Sequence, residues 1–376
     1  MYKFIKNIPL KRYFKTRIPR KLRIYWQEAF LAFLAISYFS YFTLASFLRY
    51  TNFYTGKFDL GNMSQTVWNT IHGNFFMLTD PNGTAEISRL GVHGDLILIL
   101  LSPFYLIWED PRMLLLIQTL VLSLGGIFVY AIAKEVLRNK TLSLVFAFAY
   151  YLSPAVGWTN LYDFHAVTLA TTFLLGGFYF ILKQKFVTGV IFLLLAGITK
   201  EQIWAINVLF GLYLFFIGKQ KNLGSLLAVF SAAVFYVLFW VAIPVASGGQ
   251  HFALGFFEQF GSTPGEVVRN ILISPVDVLQ VVTSPERLDY LNKLFQPLGF
   301  LSIFGFPFLI FAGPDLSINL LSSFSPMHQI YYQYSAGITP FIFISAIYGV
   351  KLIRKAIPQI PIQFFSVFIL ILSILV

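Results

Sequence analysis

Long apolar runs, separated by short polar and often basic breaks, set the pattern of this chain. Runs at Gln27–Leu48, Arg112–Ile132, Thr141–Val156, Ala166–Leu182 and Leu223–Val245 approach or reach the ~20 residues that a helix needs to cross a bilayer. Each is predicted to be a span. A β-barrel would instead alternate apolar and polar residues over segments of about ten. Phe186–Ile217 is one apolar run broken by "TKEQ". Each half holds about 14 residues, or about 21 Å of helix. Both ends of the run are basic, so it is predicted to be a helical hairpin with its tip, Thr199–Gln202, on the far side. Pro297–Ala312, Ala336–Val350 and Ile360–Val376 are further apolar runs. No basic residue marks an inner turn between Pro297 and Met327. Two short helices cross and return there, or a re-entrant pair enters from outside.

The stretch "KFDLGNMSQTVWNTIHGN" (Lys57–Asn74) has a different rhythm. Leu60, Met63, Val67 and Ile71 fall on one helical face with Trp68 beside them. Asn62, Gln65, Thr66 and Asn69 fall on the other. An amphipathic helix lying on the membrane is expected, with Asp59 at its N-terminal end. "HGDLILILLSPFYLIWEDP" predicts a short helix over Asp95–Trp108, re-entrant or interfacial. The segment 246–296 is mostly polar with short apolar patches, and is expected to be a second large outer loop beside the first at 49–111.

Composition agrees: 57% of the 376 residues are hydrophobic and 11% charged, against about 25% charged in a soluble domain. The fold class is an all-α polytopic membrane protein. The chain divides into a basic flank, 1–26, and one transmembrane domain, 27–376. There is no cysteine, so disulfide and thiolate chemistry are excluded. The net charge of +11 is unevenly placed. Most Lys and Arg fall in the flank or at Lys134, Arg138, Lys140, Lys183, Lys185, Lys219, Lys221, Lys351, Arg354 and Lys355. By the positive-inside rule these ends are cytoplasmic, as is the N-terminus. A basic flank beside a span reads as contact with anionic lipid, not nucleic acid. Most of the acids and all 5 histidines then face outward.

Titratable chemistry therefore belongs on the outer face, where Asp59, His72, His93, Asp95, Asp163, His165, Lys200, Glu201 and His328 collect. Asp59 and Asp95 each sit where a helix cap is useful. "YDFH" puts Asp163 and His165 at the mouth of a span, a grouping suited to acid–base work or a metal, and equally to a polar turn. "TKEQ" is the most specific feature. An adjacent Lys–Glu inside an apolar hairpin is costly unless paired or in a wet cavity, though snorkelling would also close such a hairpin. The tyrosines at 331, 332 and 334 suit interfacial anchoring.

"FDLGNMSQTVWNTIHGN", "HGDLILILLSPFYLIWEDP", "YLSPAVGWTNLYDFHAVTLA", "AGITKEQ" and "YYQYSAGITPFIF" occur in the order seen in the DUF2079 family of predicted membrane proteins, which the chain resembles over roughly Phe58–Ile344. It departs from that pattern at His93-Gly94-Asp95-Leu96, where the family tends to have His-Phe-Ser-Pro. It also lacks a second histidine near Gln333. The family's layout is similar to that of GT-C glycosyltransferases, which take a sugar from a polyprenyl-phosphate carrier outside the cytoplasm. That resemblance implies a bundle of about 9–11 transmembrane helices, each near the length one crossing needs. It implies Asp59 as the first-loop acidic residue, a catalytic base or metal ligand, Asp163 as the acid at the mouth of a span, and Lys200 as the lysine of Thr-Lys.

The expected activity is transfer of a sugar from a polyprenyl-phosphate donor to an acceptor on the extracytoplasmic face of the plasma membrane. Expected catalytic residues are Asp59, Asp163 and Glu201. Substrate-binding candidates are Lys200, His93, Asp95, His165, Arg269 and Tyr334, with Arg287 a further cation for the phosphate. Asp59, Asp163 and His165 are the candidate ligands of a divalent metal, Mg²⁺ or Mn²⁺. Expected partners are the bilayer, the lipid-linked sugar and an acceptor; no nucleic acid is expected. The rival is a transporter or flippase for a lipid-linked or polar solute, supported by the broken hairpin at Thr199–Gln202.

Overall fold

The computed structural model describes residues 20–80 and 82–376. The basic flank lies mostly outside them. The described chain is an all-α membrane protein with one small hairpin of strands. Four helical stretches are long and apolar enough to cross a membrane: Tyr25–Thr51, Arg112–Leu137, Lys140–Tyr162 and Lys221–Ser247.

The first belongs to α1 (Arg20–Thr51). A left-handed Arg138 closes α4 (Arg112–Leu137), and Asn139 accepts a hydrogen bond from the Leu142 N–H to open α5 (Lys140–Leu152). Pro154 forces Ser153 into an extended conformation and starts α6 (Pro154–Tyr162) on a new line. The apolar run at Thr168–Leu182 is α7. The expected hairpin is α8 (Phe186–Gly197) and α9 (Ile203–Phe216), broken at "TKEQ" as its charges require. A longer helix follows as α10 (Lys221–Val237), a π turn and α11 (Ile243–Ser247). Only 22% of its most apolar window is buried, and Leu226, Val229 and Tyr236 are exposed. Apolar residues bared along a whole helix need lipid beside them.

Two expectations change. The segment 49–111 holds α2 (Asn62–Ile71), the hairpin β1 (Met77–Thr79) with β2 (Glu86–Ser88), and α3 (Ile97–Leu101). The apolar face of α2 does not lie on the membrane. Leu60, Met63 and Val67 are buried against Ile97, Leu98, Met113, Leu114 and Phe164. A helical stripe needs an apolar partner but does not say which one. The segment 246–296 is not an open loop. After a 3₁₀ stretch, Phe252–Phe260, it forms α12 (Pro264–Ile273), α13 (Pro275–Val282) and α14 (Pro285–Phe295). A proline opens each of the three helices, and Thr263 with Glu266 makes a capping box on α12.

The ambiguous region is a broken hairpin. It descends through α14 and returns through α15 (Leu301–Phe304), α16 (Phe306–Leu309) and α17 (Gly313–Leu321). Arg287, at the start of α14, donates from Nε to the Leu320 carbonyl at 2.7 Å and from Nη2 to the Ser322 carbonyl at 2.8 Å. Both ends of the hairpin therefore meet at one end of the bundle, as either alternative requires. Its deep part packs on α18 (Thr339–Ala356). The chain closes with α19 (Ile362–Leu375).

The crossing of this hairpin with α18 depends on two glycines. A Cβ on Gly305 would lie 2.0 Å from the Ser345 carbonyl oxygen, and one on Gly349 2.0 Å from the Leu301 carbonyl oxygen. Small residues let membrane helices approach to backbone contact. Gly349→Ala and Gly305→Ala should each destabilise the protein by about 1–3 kcal/mol through overpacking. Thermal unfolding in detergent reads the effect, and an unchanged midpoint for both would contradict this packing.

Candidate active site

The segment 49–111, the hairpin tip and the turn after α6 converge on one cavity of about 1040 Å³. Its polar end carries Asp59, Arg89, His93, His165, Lys200 and Tyr334. Much of the rest of its lining is apolar, including Phe235, Phe239, Trp240, Phe252, Val268 and Ile271. Trp240 and Val268 are exposed and also line a second pocket with Arg269 and Leu272, so this apolar lining reaches the protein surface.

The "YDFH" turn is held by one buried side chain of α4. Gln118 donates from Nε2 to the carbonyls of Asn160 (3.1 Å) and Asp163 (3.0 Å). Its Oε1 accepts from the His165 N–H (2.9 Å) and the Thr168 hydroxyl (2.7 Å). All four hydrogen-bonding positions of the amide are used, so the turn has one geometry. His165 then presents Nε2 to Asp59 Oδ1 at 3.0 Å. Tyr162 stacks on the His165 ring.

Asp59 is thus not a helix cap; α2 has Gly61 at that position and no side-chain cap. Burial alone would raise the Asp59 carboxyl, but the bond to His165, the His165 charge, Tyr162 and the charge of Lys200 hold it below its ordinary value. Asp59 is an ionised carboxylate with part of its surface open to the cavity.

Asp163 stands behind it. A methyl group placed on Gly56 would lie 3.5 Å from Asp163 Oδ2 and 3.8 Å from Asp59 Oδ2, so the two carboxylates flank one point. Yet Asp163 does not line the cavity, and its Oδ2 already accepts the Gly56 N–H at 2.8 Å. That makes it a supporting residue and corrects its catalytic assignment. Burial, opposed by Gly56, pushes its carboxyl up to about 6. The folded state therefore binds this proton more tightly than the unfolded chain, whose value is near 3.8. The stability gained is present below that value and lost as pH rises through about 6. Relative to Asp163→Asn, the native protein should lose thermal stability between pH 4 and 7. A constant difference between the two across that range would refute the assignment.

The hairpin tip packs under the segment 49–111: the Ile97 N–H donates to the Ile198 carbonyl at 2.9 Å. Glu201 is buried there and saturated. Its Oε2 accepts from the Gly94 N–H (3.0 Å), while its Oε1 lies 2.9 Å from His93 Nδ1 and 3.3 Å from His251 Nε2. A carboxylate with three N–H donors orients its neighbours; it is not the free catalytic group expected. Lys200, next to it, forms no ion pair among the described residues. Its Nζ lies 5.8 Å from the ring centre of Tyr334, within reach of the cavity.

Two other substrate-binding assignments change. Asp95 is engaged by Arg89, whose Nε lies 3.0 and 3.1 Å from its two oxygens and whose Nη2 lies 2.6 Å from Oδ2. Both side chains are almost fully buried, so Asp95 balances Arg89. Arg269 is exposed on α12 with Pro264 and Leu272, outside the cavity. Arg287 serves the broken hairpin, as above, and not a phosphate. His328 lies with it in a separate cavity.

Among the described residues, Asp59, Asp163 and His165 are not a group whose ligand atoms cluster, and Asp163 Oδ2 already takes a backbone N–H. Among the described residues, the ligand atoms of His93, Glu201 and His251 do lie within 4.8 Å of one another. His251 Nδ1, however, accepts the Ala253 N–H at 3.1 Å. The neutral ring then carries its proton on Nε2, aimed at Glu201. A metal-bound histidine needs the reverse, a free lone pair toward the ion and an N–H outward. The group fits hydrogen bonding better than a metal.

Residue-by-residue reading missed His251, Arg89 and Gln118. A lone glutamine within the apolar run of α4 was a usable signal, since a buried amide needs partners. His251 and Arg89 carried no local signal.

The family model described as "Predicted membrane protein (DUF2079)" matches residues 49–376. No curated protein matches the chain.

Proposed function

We propose that this chain, which belongs to the DUF2079 family of predicted membrane proteins, is a GT-C-type glycosyltransferase that moves a sugar from a polyprenyl-phosphate donor to an acceptor hydroxyl. The observation that carries the reading is the single cavity with an ionised acid, an unpaired ammonium and an apolar lining that reaches the protein surface. Those are the parts an amphiphilic donor with an anionic head needs. The polyprenyl chain lies along Phe235, Phe239 and Trp240. Lys200 meets the phosphate and stabilises it as it leaves. Asp59 accepts the acceptor's proton as the glycosyl bond breaks. His165, with Tyr162 stacked on it, orients Asp59, and Tyr334 flanks Lys200. Lys200 supplies the positive charge that a divalent ion would otherwise bring.

The six shorter apolar helices, beside the four long ones, suit a bundle of about 9–11 crossings with tilted or paired short helices. In this reading the positive-inside rule supports a cytoplasmic N-terminus and a cavity on the outer face of the plasma membrane. A transporter would want Lys200 and Glu201 at the midplane; their packing under the segment 49–111 favours the transferase.

The test is transfer of a labelled sugar from polyprenyl-phosphate donors by the protein in liposomes. Turnover with one donor class is expected. Neither transfer nor donor hydrolysis across hexose, pentose and amino-sugar donors would overturn the reading.

A further inference from the structure

His93 has one ring nitrogen engaged and one free. Nδ1 lies 2.9 Å from Glu201 Oε1, and Glu201 is held in turn by the Gly94 N–H and His251 Nε2. His251 cannot rotate away cheaply, because its Nδ1 accepts the Ala253 N–H and its ring stacks between Phe239 and Phe252. The carboxylate therefore fixes the tautomer of His93: Nδ1 carries the proton, and Nε2 keeps its lone pair. Among the described residues no protein group bonds Nε2, and the side chain is 18% exposed where it lines the cavity. A carboxylate–histidine pair with a free Nε2 is the arrangement that makes an imidazole a proton carrier.

The charges around it are mixed. Lys200 and Arg89 act on His93 as cations and Glu201 as an anion, while His251 faces it and Asp95 neutralises Arg89. Burial lowers the affinity of the ring for a second proton, and Lys200 and Arg89 add to this against Glu201. The empty cavity thus holds a neutral His93 beside an unpaired ammonium. An anion entering there reverses that balance.

We infer that His93 is a second proton-transferring residue of the cavity, which takes a proton on Nε2 when an anionic phosphate headgroup binds and returns it to the departing phosphate. This rests on the lipid-phosphate reading above and adds to it the fate of the proton. In the balanced step, the acceptor oxygen bonds to the sugar's anomeric carbon and its proton goes to Asp59. The bond from that carbon to the phosphate oxygen breaks, its electron pair stays on that oxygen, and the proton from His93 Nε2 joins the phosphate. Glu201 and His251 are positioning residues.

Calorimetry of a short polyisoprenyl monophosphate binding to the full chain in detergent, in two buffers of different ionisation enthalpy at pH 7.5, counts the protons taken up. Up to about one proton per bound lipid is expected when a neighbouring dianion raises the affinity that burial lowers in His93. His93→Gln should bind the lipid without that uptake, while Asp59→Asn should keep it. Uptake unchanged in His93→Gln overturns the inference. Absence of any binding heat in the native protein overturns the lipid-phosphate reading itself. Independently of any lipid, ¹⁵N-histidine spectra of the native protein, assigned with His93→Gln, should show His93 protonated at Nδ1 alone. A proton on Nε2 instead, or a stoichiometric metal ion lost in His93→Gln, also overturns it.

Discussion

Asp59→Asn is expected to cut sugar transfer at least ~100-fold, the usual contribution of a positioned general base, while the protein stays folded. The asparagine Oδ1 can still accept the bond from His165 Nε2, 3.0 Å from Asp59 Oδ1 in the native protein, so the turn after α6 keeps its anchor. What is lost is negative charge and basicity at a cavity carboxylate that, unlike Glu201 and Asp95, is not enclosed by several N–H donors. Donor binding should change far less than turnover, because the proton moves only in the transition state. The comparison is of rates and donor affinities for native and variant protein in matched membranes. Transfer within a few-fold of native would remove Asp59 as the base. Glu201→Gln would then separate base from scaffold: its effect should come with a disturbed His93 tautomer.

The largest expected effect on stability lies close by. Asp95→Ala should destabilise the fold by about 3–5 kcal/mol, the cost of stripping one partner from a buried ion pair. Arg89 is only 1% exposed, and its bonds to Asp95 pass through Nε and Nη2. Without the carboxylate a cation stays buried among apolar walls. The hairpin that ends at Ser88 and the helix that starts at Ile97 lose the tie between them. Removing both charges with residues of similar volume, Arg89→Met with Asp95→Leu, should recover much of the loss, since a buried pair is often matched by well-packed apolar groups. Chemical or thermal unfolding of the two variants checks this. Equal destabilisation by Asp95→Ala and by the double variant would mean that the pair acts through something other than its charge.

The spans and the hairpin of α8 and α9 were legible because membrane crossing is a property of a segment. Each apolar run carries its own transfer free energy, and each basic break is decided by the residues in it. The same locality explains the miss at α2. Periodicity announces an apolar face, while only the neighbours determine whether lipid or Phe164 and Leu114 cover it. It also explains the segment at 246–296, whose helices begin at prolines and draw little on hydropathy. Tyr334, Lys200, His93, His165 and Asp59 were candidates from the sequence, and one cavity takes all five. Glu201, Asp163 and Asp95 were candidates on the same grounds, yet each is occupied by a different partner.

The sequence by itself determined the apolar segments, the polar tip between α8 and α9, and family membership. Only the tertiary structure decided which acids and histidines are free. Asp59 is joined to His165 across 106 residues of chain and Glu201 to His251 across 50. Hydrophobic burial adds up along a segment, whereas a hydrogen bond or ion pair exists only when two particular atoms are brought to about 3 Å. A carboxylate's role depends on which atoms those are, and residue type alone does not carry that information.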